Sequence, residues 1–446
     1  MQTRLNALPR AVRYTLSFCL LGTLASALAP AQEDVESEAP ATLDQLERIT
    51  TAVPWPRGVQ FIDGKLYVLA RGAHRSAGGP QAVIEDLAGT VFVVDPSISE
   101  PVVAGEPVGD AVRQNAEVVA AAAGPPFRIW DRRMPATEDL LTDRPYCMLV
   151  HDPLSQNLFI CGYSGIDLKE PPHFRKNATD SVHRLDLRIG EWRTVEAHDP
   201  SVVPVDELGK DIDSTYYPHH DVTRNPPPHG LVNGPCGAVI AGKYLYVGAK
   251  DNSALAQYDL TEIRKDPNAP APPGRFVFEG TAGNAYIQVK GQGPTAVNGT
   301  CALAVGGGYL YVAFRTTSQI LRFPLKDDGG LVEPLEAEYI AQFPRYDPVE
   351  QGGSANIYDM VFDAEGRLYV SPGYDGSVYR FRPDPERLYD ATAHGYSPYV
   401  DLGTLVGAKK SGNICFDDAG NLYICSGQDL VPETNLRGVV YRVRPR

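Results

Sequence analysis

The chain has 446 residues, 41 Lys and Arg against 55 Asp and Glu, and a formal net charge of −14. So acidic a surface repels phosphate backbones and excludes nucleic acid as a partner. With 43% hydrophobic residues a sizeable core is available, and no segment reaches about 18 uninterrupted apolar residues, so no membrane span is expected.

Arg4, Arg10 and Arg13 precede an apolar stretch from Tyr14 to Leu28, followed by small residues at Ala29 and Ala31, or earlier at Ala25 and Ala27. That pattern reads as a signal peptide over residues 1–31 and implies export to a periplasmic or extracellular space. A lipid anchor at Cys19 is disfavoured by the bulky Phe18 before it. Cleavage removes three arginines and no acid, so the formal charge moves from −14 to −17. Residues 32–45 are acidic and proline-containing and read as a disordered leader; residues 46–446 read as a single domain.

From Gly58 the chain repeats itself. "VNGPCGAVIAGKYLYVGAK", Val232 to Lys250, returns 65 residues later as "VNGTCALAVGGGYLYVAFR", Val297 to Arg315. Each copy is an apolar run, a tight polar or glycine turn and an alternating run of the Leu-Tyr-Val type, which predicts strand, turn, strand. The same grammar begins at Gly58, Cys147, Tyr358 and Asn413, giving six copies. Third strands follow in "GTVFVVDP", "SVHRLDL", "ALAQYDL", "QILRFPL", "GSVYRFRP" and "GVVYRVRP". Fourth strands are expected in "EWRTVEA", in "AYIQVKG" or "RFVFEG", in "AEYIAQF" and in "YSPYVDL", with "FRIW" for the first unit.

Four-stranded units repeated around a centre make an all-β, six-bladed β-propeller, with seven blades as the alternative count. The last unit stops three strands in. "LERITTAV", Leu46 to Val53, alternates just before the first unit and is expected to supply the missing outer strand, closing the ring and covering an open edge.

The units resemble the NHL-repeat and senescence-marker-protein (gluconolactonase) class of six-bladed propellers, on the strength of "DAEGRLYV" (Asp363 to Val370) and "DDAGNLYI" (Asp417 to Ile424). The resemblance implies, for its lactonase branch, a divalent cation held by acidic and asparagine side chains at inner-strand starts. The match breaks at those positions. Arg57 stands where a glutamate would fall, Cys236 where an asparagine would, and Tyr358 takes the place of an aspartate two positions before Met360. Metal-dependent hydrolysis or lysis is therefore the second reading, behind binding of a small molecule or protein partner by a monomer.

Six cysteines remain after cleavage, an even number that favours disulfides in an exported chain. Cys147 with Cys161, and Cys415 with Cys425, straddle inner hairpins; Cys236 and Cys301 hold the same place in adjacent units and are expected to staple them. Long insertions in the first two units, and before the second and third, fall on one face, which marks it as the binding face. There, "YYPHHDVTRNPPPHG" offers His219, His220, Asp221 and His229 as metal-ligand candidates. Arg57, Asn233, Asn298, Asp359 and Asn413 at strand-one starts, with Arg71, Lys250, Arg315, Tyr374 and Asp375 from the loops after strand two, line the expected channel mouth. Of these, Arg57, Asn233, Asn298, Arg315, Asp359 and Asn413 are the ligand-binding candidates. No GxSxG turn or serine–histidine pairing supplies a nucleophile.

Overall fold

The computed structural model describes residues 40–70, 90–103, 106–120, 146–162, 181–197, 231–232, 234–250, 252–280, 284–344, 357–373, 376–391, 397–408, 411–431 and 436–445. Within them the repeats become six antiparallel blades. Blade one is Pro56–Ile62, Lys65–Ala70, Val91–Val94 and Glu117–Ala120. Blade two is Tyr146–Asp152, Asn157–Gly162, Ser181–Asp186 and Glu191–Ala197, and blade three is Pro235–Ala241, Tyr244–Ala249, Ala254–Asp259 and Gly274–Phe278. Blade four is Thr300–Gly306, Tyr309–Phe314, Gln319–Pro324 and Glu338–Gln342; blade five is Asp359–Phe362, Leu368–Ser371, Ser377–Phe381 and Val400–Asp401.

Blade six is Ile414–Phe416, Leu422–Val431 and Leu436–Val443, completed by Leu46–Thr50 from the other end of the chain. The expected clasp thus forms, with Leu46 opposite Val443 and Thr50 opposite Val440. Glu47 accepts from Arg442 Nε at 2.6 Å and also pairs with Arg444. Residues 40–45, read above as the end of a disordered leader, are ordered: Ala41 is buried and its N–H donates to the Tyr399 carbonyl at 2.7 Å.

The inner strands touch in sequence from blade one round to blade six, and blade six touches blade one, so the ring is closed. The described core divides in the same way, into six apolar clusters, one at each interface between neighbouring blades. A blade buries both faces, so its middle strands are nearly all apolar, as in Tyr244–Ala249 and Tyr309–Phe314. Polar turns sit between them. Asp63 (φ 48°) and Gly64 (φ 78°) make the two-residue hairpin whose twist matches the flanking strands.

Strand pairing assigns two further outer strands. The fourth strand of blade one is Glu117–Ala120, which follows the short helix Asp110–Arg113 and pairs with Val91–Val94, while "FRIW" lies outside the described residues. In blade three "RFVFEG" supplies the fourth strand, while "AYIQVKG" pairs with Gly293–Asn298 in a separate hairpin whose inward side chains, Ala285, Ile287 and Val297, join the core between blades three and four.

The motif that carried the resemblance is a turn device. Asp363 Oδ1 accepts from the Arg367 N–H at 2.8 Å, and Asp417 Oδ1 from the Asn421 N–H at 2.8 Å. Each aspartate closes the turn that its glycine permits.

Candidate functional site at the channel mouth

All six inner strands begin at one end of the ring, the end at which the second strands finish. In blades one to four the first hairpin is out of register there, between Pro56 and Gly58, Tyr146 and Met148, Pro235 and Gly237, and Thr300 and Leu303. The residues set in these bulges include Arg57, Cys147, Cys236 and Cys301. A bulge bends its strand and re-aims a side chain, here at the same level of four successive blades. The side chain of Cys147 lies outside the described residues.

Cys236 and Cys301 meet across the interface between blades three and four, sulfur to sulfur, at 3.6 Å. Gly237 permits the approach: a Cβ there would lie 1.7 Å from the Cys301 carbonyl oxygen. The contact with Cys236 lowers the pKa of the Cys301 thiol, burial opposes this, and the positive charges of Arg315, Lys250 and Arg57 lower it further. Lys250 and Arg315 directly follow the second strands of blades three and four, and their N–H groups donate to Gly234 and Gly299 carbonyls at 2.8 and 2.7 Å. Both stems are thereby tied to the turns that carry the two cysteines.

Arg57 reaches furthest. Its guanidinium carbon sits 3.6 Å from the centre of the Tyr358 ring, a cation–π contact that joins blade one to blade five. Its charge is felt at Cys301, Asp359 and Cys425, on blades four, five and six.

Asp359 and Asn413 are buried. Asp359 is 5% exposed, and its two carboxyl oxygens accept from the N–H groups of Met360 and Ile414, each at 2.9 Å, so it ties blade five to blade six. Burial pushes this carboxyl up to about 7, against the two amides, Asn413 and the Arg57 charge, which lower it. Asn413 is 1% exposed and its amide donates to the Met148 sulfur of blade two at 3.1 Å, bridging past blade one.

Among the sequence candidates, then, Arg57, Lys250 and Arg315 all act electrostatically on Cys301, and Asp359 and Asn413 are buried on blades five and six. Asn298 stands at the foot of the hairpin before blade four, where its amide donates to Asn284 at 3.1 Å and its carbonyl oxygen accepts from Thr316 at 2.6 Å. Asn233, Arg71, Tyr374 and Asp375, and the group His219, His220, Asp221 and His229, lie outside the described residues. The chain pattern did not single out Met148 or the stacking of Tyr358; nothing in either neighbourhood marks a residue that acts across the ring.

The divalent cation that the resemblance implies does not fit the described wall. The Asp359 carboxyl is already bonded to two backbone amides, and positive charge acts on the wall, from Arg57 on Asp359 and from Arg315, Lys250 and Arg57 on Cys301. Among the described residues no three His, Cys, Asp or Glu side chains group as a metal requires.

The five cysteines whose side chains are described are thiols. Cys415 opposes Tyr423, two residues along the strand from Cys425, so the two sit diagonally across the hairpin and the expected bridge is not made. Cys161 is a thiol opposite Met148.

No family model matches the chain, and no curated protein matches its sequence. Solved structures do resemble its backbone. The calcium-binding protein regucalcin from Agrobacterium tumefaciens is 13% identical with a TM-score of 0.41, over 91% of this chain and 93% of that one. A putative gluconolactonase is 11% identical with a TM-score of 0.40, over 91% and 92%. Virginiamycin B lyase from Staphylococcus aureus is 9% identical with a TM-score of 0.39, over 90% and 99%. The six-bladed ring rests on the strand order and the six interfaces. Among the described residues no helix is long and apolar enough to cross a membrane.

Proposed function

We propose that this protein is an exported propeller that binds a small organic anion, of the carboxylate or sugar-acid class, at the channel mouth. One observation carries this: Arg57, Lys250 and Arg315, from blades one, three and four, converge on Cys301 in a chain whose net charge is −14. Positive charges gathered at the centre of a ring attract an anion, and polar groups that converge there are the usual ligand site of such a fold. Guanidinium groups also match carboxylates in shape, with two parallel N–H donors.

Isothermal titration of the mature protein with gluconate, glucuronate and citrate tests this. Binding should weaken as salt rises, and Arg57→Ala and Arg315→Ala should each weaken it by at least about tenfold, the loss expected for a charge-assisted hydrogen bond. The assignment is overturned if the wild type takes up none of these anions, or if both variants bind as it does. Sequencing the amino terminus of the protein recovered from the exported fraction tests cleavage after residue 31; an uncleaved cytoplasmic product would remove export from the proposal.

A further inference from the structure

We infer that Cys236 and Cys301 form a redox-active dithiol in the channel wall, with Cys236 as the entry sulfur, Cys301 as the resolving sulfur and small-molecule disulfides as the oxidant. The two sulfurs are 3.6 Å apart, and a disulfide requires about 2.05 Å. The remaining gap is within reach of side-chain rotation and a small shift of the bulges. The encounter is built into the fold. Both cysteines occupy breaks in strand register, and the two inner strands approach so closely at Gly237 that no other residue fits there.

Charge favours the reaction at this pair, and burial disfavours it at Cys415 and Cys425. Thiolate is the nucleophile in disulfide exchange, and neighbouring cations increase its share. The charged groups acting on Cys301 are Arg315, Lys250 and Arg57, and its direct partner is Cys236. Cys415 and Cys425, buried on blade six, lie in the opposite situation: burial pushes both thiols well above the ordinary range. One molecule therefore holds an activated pair and an inert pair.

Exposure assigns the order of events. Cys301 is 5% exposed, whereas Cys236 is only partly buried, so an incoming disulfide R–S–S–R meets Cys236 first. The pair gives up one proton, and the remaining proton is shared along the S–H···S contact, which allows Cys236 to carry the negative charge. The Cys236 sulfur attacks one sulfur of the reagent, the S–S bond breaks, and R–S⁻ leaves and takes up the released proton. Cys301 then loses its proton, attacks the Cys236 sulfur and displaces the second R–S⁻, which takes that proton. The protein loses two electrons and two protons as a Cys236–Cys301 disulfide forms, and one R–S–S–R becomes two R–SH. The new bond ties blade three to blade four beside Lys250 and Arg315. The inference shares cations with the anion site but rests on the sulfur contact, so a failure to bind carboxylates leaves it standing.

The test uses the full mature chain, reduced, freed of reductant and mixed with the aromatic disulfide dithiodipyridine, whose thiopyridone product is followed by absorbance. The expected result is a fast phase releasing two thiopyridones per chain, with no retained adduct, a mass lower by two hydrogens and a cross-link mapped to Cys236 and Cys301. Cys301→Ser should stop at one thiopyridone with the adduct held on Cys236. Arg315→Gln should slow the fast phase at pH 6 by about tenfold, through a smaller thiolate fraction. An adduct retained on Cys236 of the native chain, a fast phase mapped to other cysteines, or an Arg315→Gln rate equal to that of the native chain would overturn the assignment. If Cys301→Ser does not fold, the native cross-link map alone decides.

Discussion

Deleting the chain through Val53 removes the strand that closes blade six, and the structure sets the size of the effect. Leu46, Ile49 and Val53 are buried, Leu46 against blades five and six and the other two between blades six and one. At about 1.5–3 kcal/mol per buried aliphatic side chain, their loss is worth about 5–9 kcal/mol. Removing Glu47 leaves the Arg442 guanidinium, 13% exposed, with the Pro96 carbonyl and Ser99 hydroxyl but no Glu47 carboxylate. Breaking a pair of this kind costs about 3–5 kcal/mol. Together these losses are comparable to the 5–15 kcal/mol that holds a typical domain together. The truncated chain should therefore unfold at much lower urea concentration. The newly exposed edge of Leu436–Val443 should also draw copies together. Circular dichroism during urea titration measures the first effect and gel filtration the second. Ile49→Ala, expected to cost about 2–5 kcal/mol, is the milder companion. A truncated chain that stays monodisperse with an unchanged urea midpoint would show that the clasp does not hold the ring.

Asp359 has a folded pKa raised by burial to about 7, above its unfolded value, so the folded state binds the extra proton and stability falls as pH rises from about 4 to about 7. Asp359→Asn should flatten that part of the profile in urea midpoints taken across the range; an unchanged slope would refute the buried-acid account. His183 acts in the opposite sense: burial lowers it to about 3, so stability present above about 6.5 is lost as pH falls from there toward 3. His183→Gln should reduce this acid sensitivity, and an identical acid limb would argue against a buried neutral imidazole. Gly237→Ala should destabilise by about 3 kcal/mol, through overpacking of two backbones that touch. A fully stable alanine variant whose cysteines still cross-link would refute the close approach.

The architecture was readable because a propeller is a local rule repeated. Strand, turn and strand lie within about 20 residues, so alternation and turn residues such as Asp63-Gly64 disclose each hairpin, and six hairpins disclose the ring. The unfinished last unit similarly pointed to Leu46–Thr50. Outer strands were harder to place. "AYIQVKG" alternates as well as "RFVFEG" does, and which of them joins blade three depends on how chain length and core space are divided between two blades.

The site was decided by the tertiary structure. Cys236 and Cys301 are equivalent in sequence, but whether they touch depends on the backbone approach at Gly237 and on bulges that periodicity does not report. Asp359 and Asn413 looked like groups free to meet a ligand. Both are instead buried, with the carboxyl bonded to Met360 and Ile414 and the amide to Met148. Arg57 acquired its position from Tyr358, some 300 residues away along the chain and 3.6 Å away in space. A sequence records what neighbours along a strand must do to bury themselves; side chains that meet across a ring leave no period, and their charges and contacts exist only once the ring has closed.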